Sequence, residues 1–199
     1  MHEDSPIFST IDAARAEGLA GDAVERRVWE RHGVTCAMLA LDSSEMTRVS
    51  HTHGIVHFLS RYRQMRDLAE VILQRRACLA WRCFADNMFA ELRDADTALT
   101  AAFEIHQTLR ESGLMVTEEE PFRVCLGVGF GRVLTNGRGG VMGEEMNLVA
   151  KLAEDIAQGG ETLLTESAYR SLTTHANVPN EKISLTISRV DVTYYRVRD

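Results

Sequence analysis

The sequence predicts an α+β fold, a ferredoxin-like βαββαβ core followed by a C-terminal αβ supplement. Three observations lead there. "VTCAMLALD" (34–42) is a near-continuous apolar run of the kind buried on both faces of a sheet. A long helical stretch follows it, and then two short apolar runs separated by Asp86-Asn87. A second amphipathic helix leads to the glycine-thinned apolar segment "FRVCLGVGFGRVL" (122–134). Strand, helix, two strands, helix, strand is the ferredoxin-like order, and further helix and strand patterns continue beyond it.

Each element has a local reason. Residues 1–32 are strongly charged and helical in pattern ("DAVERRVWERHG"), which predicts an N-terminal helical extension in front of a domain spanning 33–199. The first strand stops abruptly at Asp42-Ser43-Ser44-Glu45. From Thr47 to about Arg75 the period is helical, with Val56, Leu59, Met65, Leu68, Val71 and Ile72 as the apolar stripe. Trp81–Ala85 and Met88–Leu92 predict a hairpin whose two-residue type I′ turn is Asp86-Asn87, since both residues tolerate positive φ. "DADTALTAAFEIHQTLRESG" (94–113) is an amphipathic helix with acids at its start and Gly113 as its stop. Segment 122–134 reads as a pair of strands, and 144–160 as a helix closed by Gly159-Gly160. The strand "ETLLT", a short helix at 166–172 and strands near 183–188 and 191–197 complete the chain.

Bulk properties narrow the function. With 199 residues, 45% of them hydrophobic, the chain suffices for one well-filled α/β domain. No apolar run approaches the roughly 18 residues that a membrane span needs. The acidic start "MHEDSPIFSTIDAARAEG" has no apolar centre, so the expected location is cytoplasmic, with no membrane partner. A net charge of -7 argues against nucleic-acid binding, which needs a basic face. An anionic small molecule remains compatible if a metal or a local basic cluster meets it. Cys36, Cys78, Cys83 and Cys125 form no C-x-x-C pair, which predicts buried free thiols. His51, His53 and His57 in "HTHGIVHFL" have no nearby Cys or carboxylate to complete a metal site.

Asp42 and Asp86 stand out together. The first strand and the hairpin are neighbours in a ferredoxin-like sheet, so both acids would project from one edge. Paired carboxylates at strand ends suit two divalent cations, because Mg²⁺ takes carboxylates plus substrate phosphates rather than an all-protein cage. The amides of Ser43, Ser44, Glu45, Met46 and Thr47, entering a helix N-terminus, would face a triphosphate.

At this point the sequence resembles the catalytic domain of the class III nucleotidyl cyclases. "LALDSSEMT", "RCFADNMFA", "VCLGVGFGRVL" and "GEEMNLVAKLAED" follow the order and approximate spacing of that family's motifs, F-x-D-I-x-x-F-T, K-x-x-G-D, R-x-G-I-x-x-G and G-x-x-V-N-x-A-x-R-L. The match runs from about residue 34 to 197. The resemblance implies that Asp42 and Asp86 hold two divalent cations per site, Mg²⁺ or Mn²⁺, one acting on the ribose 3′-hydroxyl and the other on the β- and γ-phosphates. It implies that Asn147 orients the ribose, and that Lys151 stabilises the pentavalent phosphate where the family has arginine. Lysine keeps the charge there and loses the bidentate fork. It also implies a homodimer with two shared interfacial sites, each combining the aspartates of one subunit with the Asn, Lys and base-reading positions of the other. Arg189, near the C-terminal strands, is a candidate for the γ-phosphate.

The base-reading positions depart from the family. Arg82 stands where adenylate cyclases carry lysine and guanylate cyclases usually glutamate, and Gly140 stands where an adenine-reading acid belongs. Arginine offers five donors and no acceptor. Uracil, with carbonyls at O2 and O4 and one N–H, suits such a pocket best; CTP or GTP follow, and ATP is disfavoured. The single-domain layout and the "ADN" form of the second motif also resemble the bacterial Pycsar pyrimidine cyclases, whose cyclic UMP or cyclic CMP activates a separate effector in anti-phage defence. Two other readings stay open: an adenylate or guanylate cyclase, and a degenerate cyclase serving as a nucleotide-binding or dimerisation module. The second draws on Gly140, on Lys151 and on Ala85 in place of the motif glycine. A diguanylate cyclase is disfavoured because no GG-[DE]-EF-like loop occurs.

Overall fold

The structure is a computed structural model that describes residues 5–173, 178–187 and 190–198. Helices α1 (Pro6–Ala16) and α2 (Asp22–His32) lead into strand β1 (Gly33–Ser43). Then come α3 (Met46–His53), α4 (Ile55–Arg75), β2 (Ala80–Phe84), β3 (Asn87–Leu92), α5 (Ala95–Ser112) and β4 (Val124–Thr135). The rest comprises β5 (Val141–Met142), α6 (Glu144–Lys151), β6 (Thr162–Thr165), α7 (Glu166–Ser171), β7 (Asn180–Ile187) and β8 (Val190–Val197). The sheet runs β2-β3-β1-β4-β6-β8-β7, and β5 pairs with β4. Its first four strands are antiparallel neighbours, which is the expected ferredoxin-like order. β6 adds in parallel to β4, and β8 and β7 extend the sheet antiparallel.

β1 is apolar from Cys36 to Leu41 because both of its faces are covered there. Ala37, Leu39 and Leu41 pack with Phe58, Met65 and Leu73 of α4 and Leu99 and Ile105 of α5. Cys36, Met38 and Ala40 pack on the other side with Met146, Val149 and Ala153. Each large side chain taken out of water this way contributes about 1.5–3 kcal/mol before entropy is set against it. Cys36 and Cys125 are buried free thiols, pushed up to about 11 and about 12 by desolvation, so little thiolate exists at neutral pH.

Segment 122–134 is one strand rather than two. β4 pairs with β1 without interruption from Gly33↔Leu134 to Ser43↔Val124. Its glycines serve close packing instead of a turn: a Cβ on Gly127 would lie 2.4 Å from the Val149 carbonyl oxygen. That neighbour is backbone and cannot swing aside, so Gly127→Ala should destabilise the protein by about 2–3 kcal/mol. A thermal melt followed by circular dichroism measures the loss.

Two helices also differ from expectation. Gly54, at φ +87°, breaks the 47–75 stretch into α3 and α4. The buried stripe of α4 is then Phe58, Tyr62, Met65, Ala69 and Ile72, in steps of four and three, while Val56, Leu59 and Val71 are exposed. After Lys151 the α6 backbone widens into a π-helical turn, Leu152–Ile156, and ends there instead of running to 160. The N-terminal helices join through Thr10 Oγ1 and His32 Nε2, 2.7 Å apart. Trp29 stacks under Arg132 at 4.5 Å, at the end of the sheet opposite Asp42.

Candidate active site

The pairing of β1 with β3 brings the two aspartates to one end of the sheet. Leu41 lies opposite Met88, so Asp42 is the next residue along β1, and Asp86 sits in the turn that opens β3. Ser43 Oγ donates to Asp86 Oδ2 at 3.2 Å and ties the two strand ends together. The Asp42 carboxyl is pushed up to about 7, first by burial, then by Asp86, Glu154 and Asp155, against a smaller opposing hydrogen bond at Ser43. These crowded negative charges suit a divalent cation. Among the described residues no three His, Cys, Asp or Glu side chains converge closely enough to hold a metal ion by themselves.

The turn is displaced by one residue from the sequence expectation. Phe84 pairs with Asn87, so the turn residues are Ala85 and Asp86. Ala85 carries the positive φ, 52°. A side chain there costs about 1–2 kcal/mol, more than the extra chain entropy of glycine. Ala85→Gly should therefore stabilise the protein by about 0.5–1 kcal/mol, a difference that urea titration resolves.

Glu154 and Asp155 were not anticipated. Their signal was the run "KLAED", which places acids one turn after Lys151; both lie in the π-helical turn, close enough to the strand ends to act on Asp42. Asn87 Nδ2 donates to Glu154 Oε1 at 3.2 Å, and the Glu154 carboxyl is raised by burial, Asp155 and Asp86.

At the opposite side of the strand end, Ser44 Oγ donates to the Arg123 carbonyl at 3.3 Å. α3 begins at Met46, followed by Thr47, with no side-chain cap on its first-turn amides. Glu45 is engaged instead with Arg48, at 2.7 Å, and Arg48 also bonds Glu120.

Asn147 and Lys151 share one face of α6 and line an open cavity of about 540 Å³ with Glu144, Leu148, Thr165 and Ser167. Lys151 Nζ lies 3.5 Å from Asp155 Oδ2. Asp42 and Asp86 are not among the residues lining that cavity.

Arg82 is exposed on β2, its guanidinium 6.0 Å from the Phe89 ring centroid. Gly140 is buried in the loop between β4 and β5. That loop lies against Arg82: a Cβ on Gly139 would meet the Trp81 carbonyl carbon at 2.7 Å and the Arg82 nitrogen at 2.9 Å. The fold thus brings together the two positions that the sequence assigned to base reading. It also places beside them a carboxylate that the sequence reading passed over, Glu91, only 4% exposed. Arg189 lies outside the described residues.

No protein-family model matches the chain, and no curated protein matches it. Solved structures do. An adenylate/guanylate cyclase/hydrolase from Silicibacter pomeroyi is 20% identical at a TM-score of 0.67, covering 83% of this chain and 96% of that one. The guanylate cyclase domain of a protein from Catenaria anguillulae, in complex with GTP, is 13% identical at a TM-score of 0.69, covering 82% and 96%. The non-canonical dimeric guanylyl cyclase domain of the RhoGC fusion protein from the aquatic fungus Blastocladiella emersonii is also 13% identical at 0.69, covering 83% and 97%. At such identities the likeness is one of architecture. The chain has the α+β fold of the adenylate and guanylate cyclase catalytic domain.

Proposed function

We propose that the protein is a divalent-metal-dependent nucleotidyl cyclase that converts UTP to 3′,5′-cyclic UMP and pyrophosphate. The observation that carries the reading is the Asp42–Asp86 pair, held at adjacent strand ends with the Asp42 carboxyl pushed up to about 7 by neighbouring acids. The bound cations would supply positive charge to the phosphates and acidify the ribose 3′-hydroxyl. The 3′-oxygen then bonds to the α-phosphorus as the bond to the pyrophosphate oxygen breaks. In this reading the site lies between two copies of the chain, with Asp42 and Asp86 on one protomer. Asn147 of the second protomer orients the ribose, and its Lys151 releases Asp155 to meet the charge growing on the α-phosphate. The uncapped amides of Met46 and Thr47 receive the outer phosphates, with Ser43, Ser44 and Glu45 forming the turn that leads to them.

UTP is favoured because Arg82 supplies donors only and Gly140 supplies no side-chain acceptor. A purine cyclase is the second reading, favoured by the GTP complex of one structural neighbour. The resemblance to Pycsar cyclases supports a messenger role in anti-phage defence, with the product read by a separate effector. Incubating the protein with ATP, GTP, CTP and UTP plus Mn²⁺, and separating the products by mass, tests the proposal. Cyclic UMP is the expected main product. Cyclic AMP or cyclic GMP would keep the cyclase and overturn the base assignment, and no product from any nucleotide would favour a binding module.

A further inference from the structure

Glu91 is the most deeply buried carboxylate among the described residues, and nothing in the cyclisation chemistry above uses it. It alternates with Asn87 and Phe89 along β3, on the sheet face away from α4 and α5. Around it lie apolar groups such as Cys36, and burial drives its carboxyl above the ordinary range. A charge in such a place is costly unless its partners return the loss. Those partners all come from one short segment. Thr135 Oγ1 bonds to both carboxylate oxygens, at 3.0 and 2.9 Å, and the Gly139 backbone supplies a further hydrogen bond.

The segment is closed on itself as well. Thr135 Oγ1 accepts from the Gly137 amide at 3.0 Å, and Asn136 Oδ1 accepts from the Arg138 and Gly140 amides, both at 2.9 Å. This compact loop is pressed onto the β2 backbone at Trp81–Arg82, so closely that Gly139, at φ +76°, has no room for a Cβ. The register explains why Glu91 can reach it. Arg82 pairs with Phe89 and Ala80 with Glu91, so Glu91 and Arg82 are diagonal neighbours on one face.

We infer that Glu91 is a positioning residue that pins the 135–140 loop across β2 and so sets where Arg82 meets the nucleotide base. At 4% exposure it does not touch the base itself; it acts through the loop. An apolar side chain would fill the same space without the desolvation cost, so what the carboxylate adds is the fixed loop. The inference rests on the cyclase reading for its functional half, and on the hydrogen bonds alone for its structural half.

The test compares wild type, Glu91→Gln and Glu91→Asp by amide hydrogen exchange without nucleotide, and by steady-state kinetics with the four nucleoside triphosphates. In Glu91→Gln, amides 136–140 should exchange roughly tenfold faster while those of β1 and β4 keep their protection. KM for the preferred nucleotide should rise roughly tenfold with kcat within about twofold, and the preference among bases should narrow. Glu91→Asp should recover part of both effects. Should Glu91→Gln not fold, Thr135→Val removes the hydroxyl that Glu91 holds, and the same loop loosening and KM rise are expected. Unchanged loop exchange overturns the inference, as does a loosened loop with unaltered KM and base preference. If wild type cyclises none of the nucleotides, the cyclase reading falls, and exchange alone then decides whether Glu91 holds the loop.

Discussion

Asp42→Asn and Asp86→Asn are each expected to lower turnover by roughly three orders of magnitude or more, while leaving the fold intact and the metal-free protein more stable. The two effects share one cause. With no cation bound, the folded state holds Asp42 beside Asp86, Glu154 and Asp155 and raises its carboxyl to about 7 from the ordinary aspartate value of 3.8. Between those two values the folded state keeps a proton that the unfolded state has released. Stability on this account therefore falls as pH rises from about 4 to about 7, and the full penalty applies above that. The shift corresponds to about 4 kcal/mol at face value; partial solvent access reduces it to about 1–2 kcal/mol. Thermal melts in a chelator should show Asp42→Asn roughly 3–6 °C above wild type at pH 8, with the gap closing by pH 4. Adding Mn²⁺ at pH 8 should raise the melting midpoint of wild type and leave that of the variant nearly unmoved. Retained turnover in either variant, or a chelated wild type no less stable than Asp42→Asn at pH 8, would sink the metal assignment.

Much of this was legible from patterns that chemistry ties to short spacings. The unbroken apolar run of β1 announced a strand covered on both sides, and the core order of strands followed from it. Asp42 and Asp86 could be paired because each ends a strand whose neighbour was inferable. What stayed hidden depended on distance and on backbone detail. The glycines of β4 resembled a turn because a sequence cannot show α6 pressed against them at Val149. The break at Gly54 rotated the α4 stripe, so that Val56 became exposed and Phe58 became core. Glu154 reaches the strand ends through a π-helical turn that no residue pattern marks. Glu91 was a polar letter on an expected strand face, and only the folded loop from 135 to 140 gives its carboxylate partners.

Two inactive variants should restore each other. In the proposed homodimer, each site takes Asp42 and Asp86 from one protomer and Asn147 and Lys151 from the other. Asp42→Asn damages the cation half of both sites, and Asn147→Ala with Lys151→Ala damages the ribose and phosphate half of both. A mixed dimer carries one doubly damaged site and one wholly intact site. Random mixing of equal amounts makes about half of the dimers mixed, so activity should return to about a quarter of wild type. Asn147 and Lys151 line a cavity whose lining includes neither aspartate, while Lys151 is tied to Asp155, one of the acids crowding Asp42 in the same chain, so mixing is what separates a shared site from one completed within a chain. A site completed within one chain would require those halves to meet in that chain, and mixing would then recover nothing. Subunit exchange must be verified separately, with differently tagged protomers co-purified after mixing. Verified exchange without recovered activity would reject the shared site, and recovery well above about half of wild type would reject the one-intact-site arithmetic.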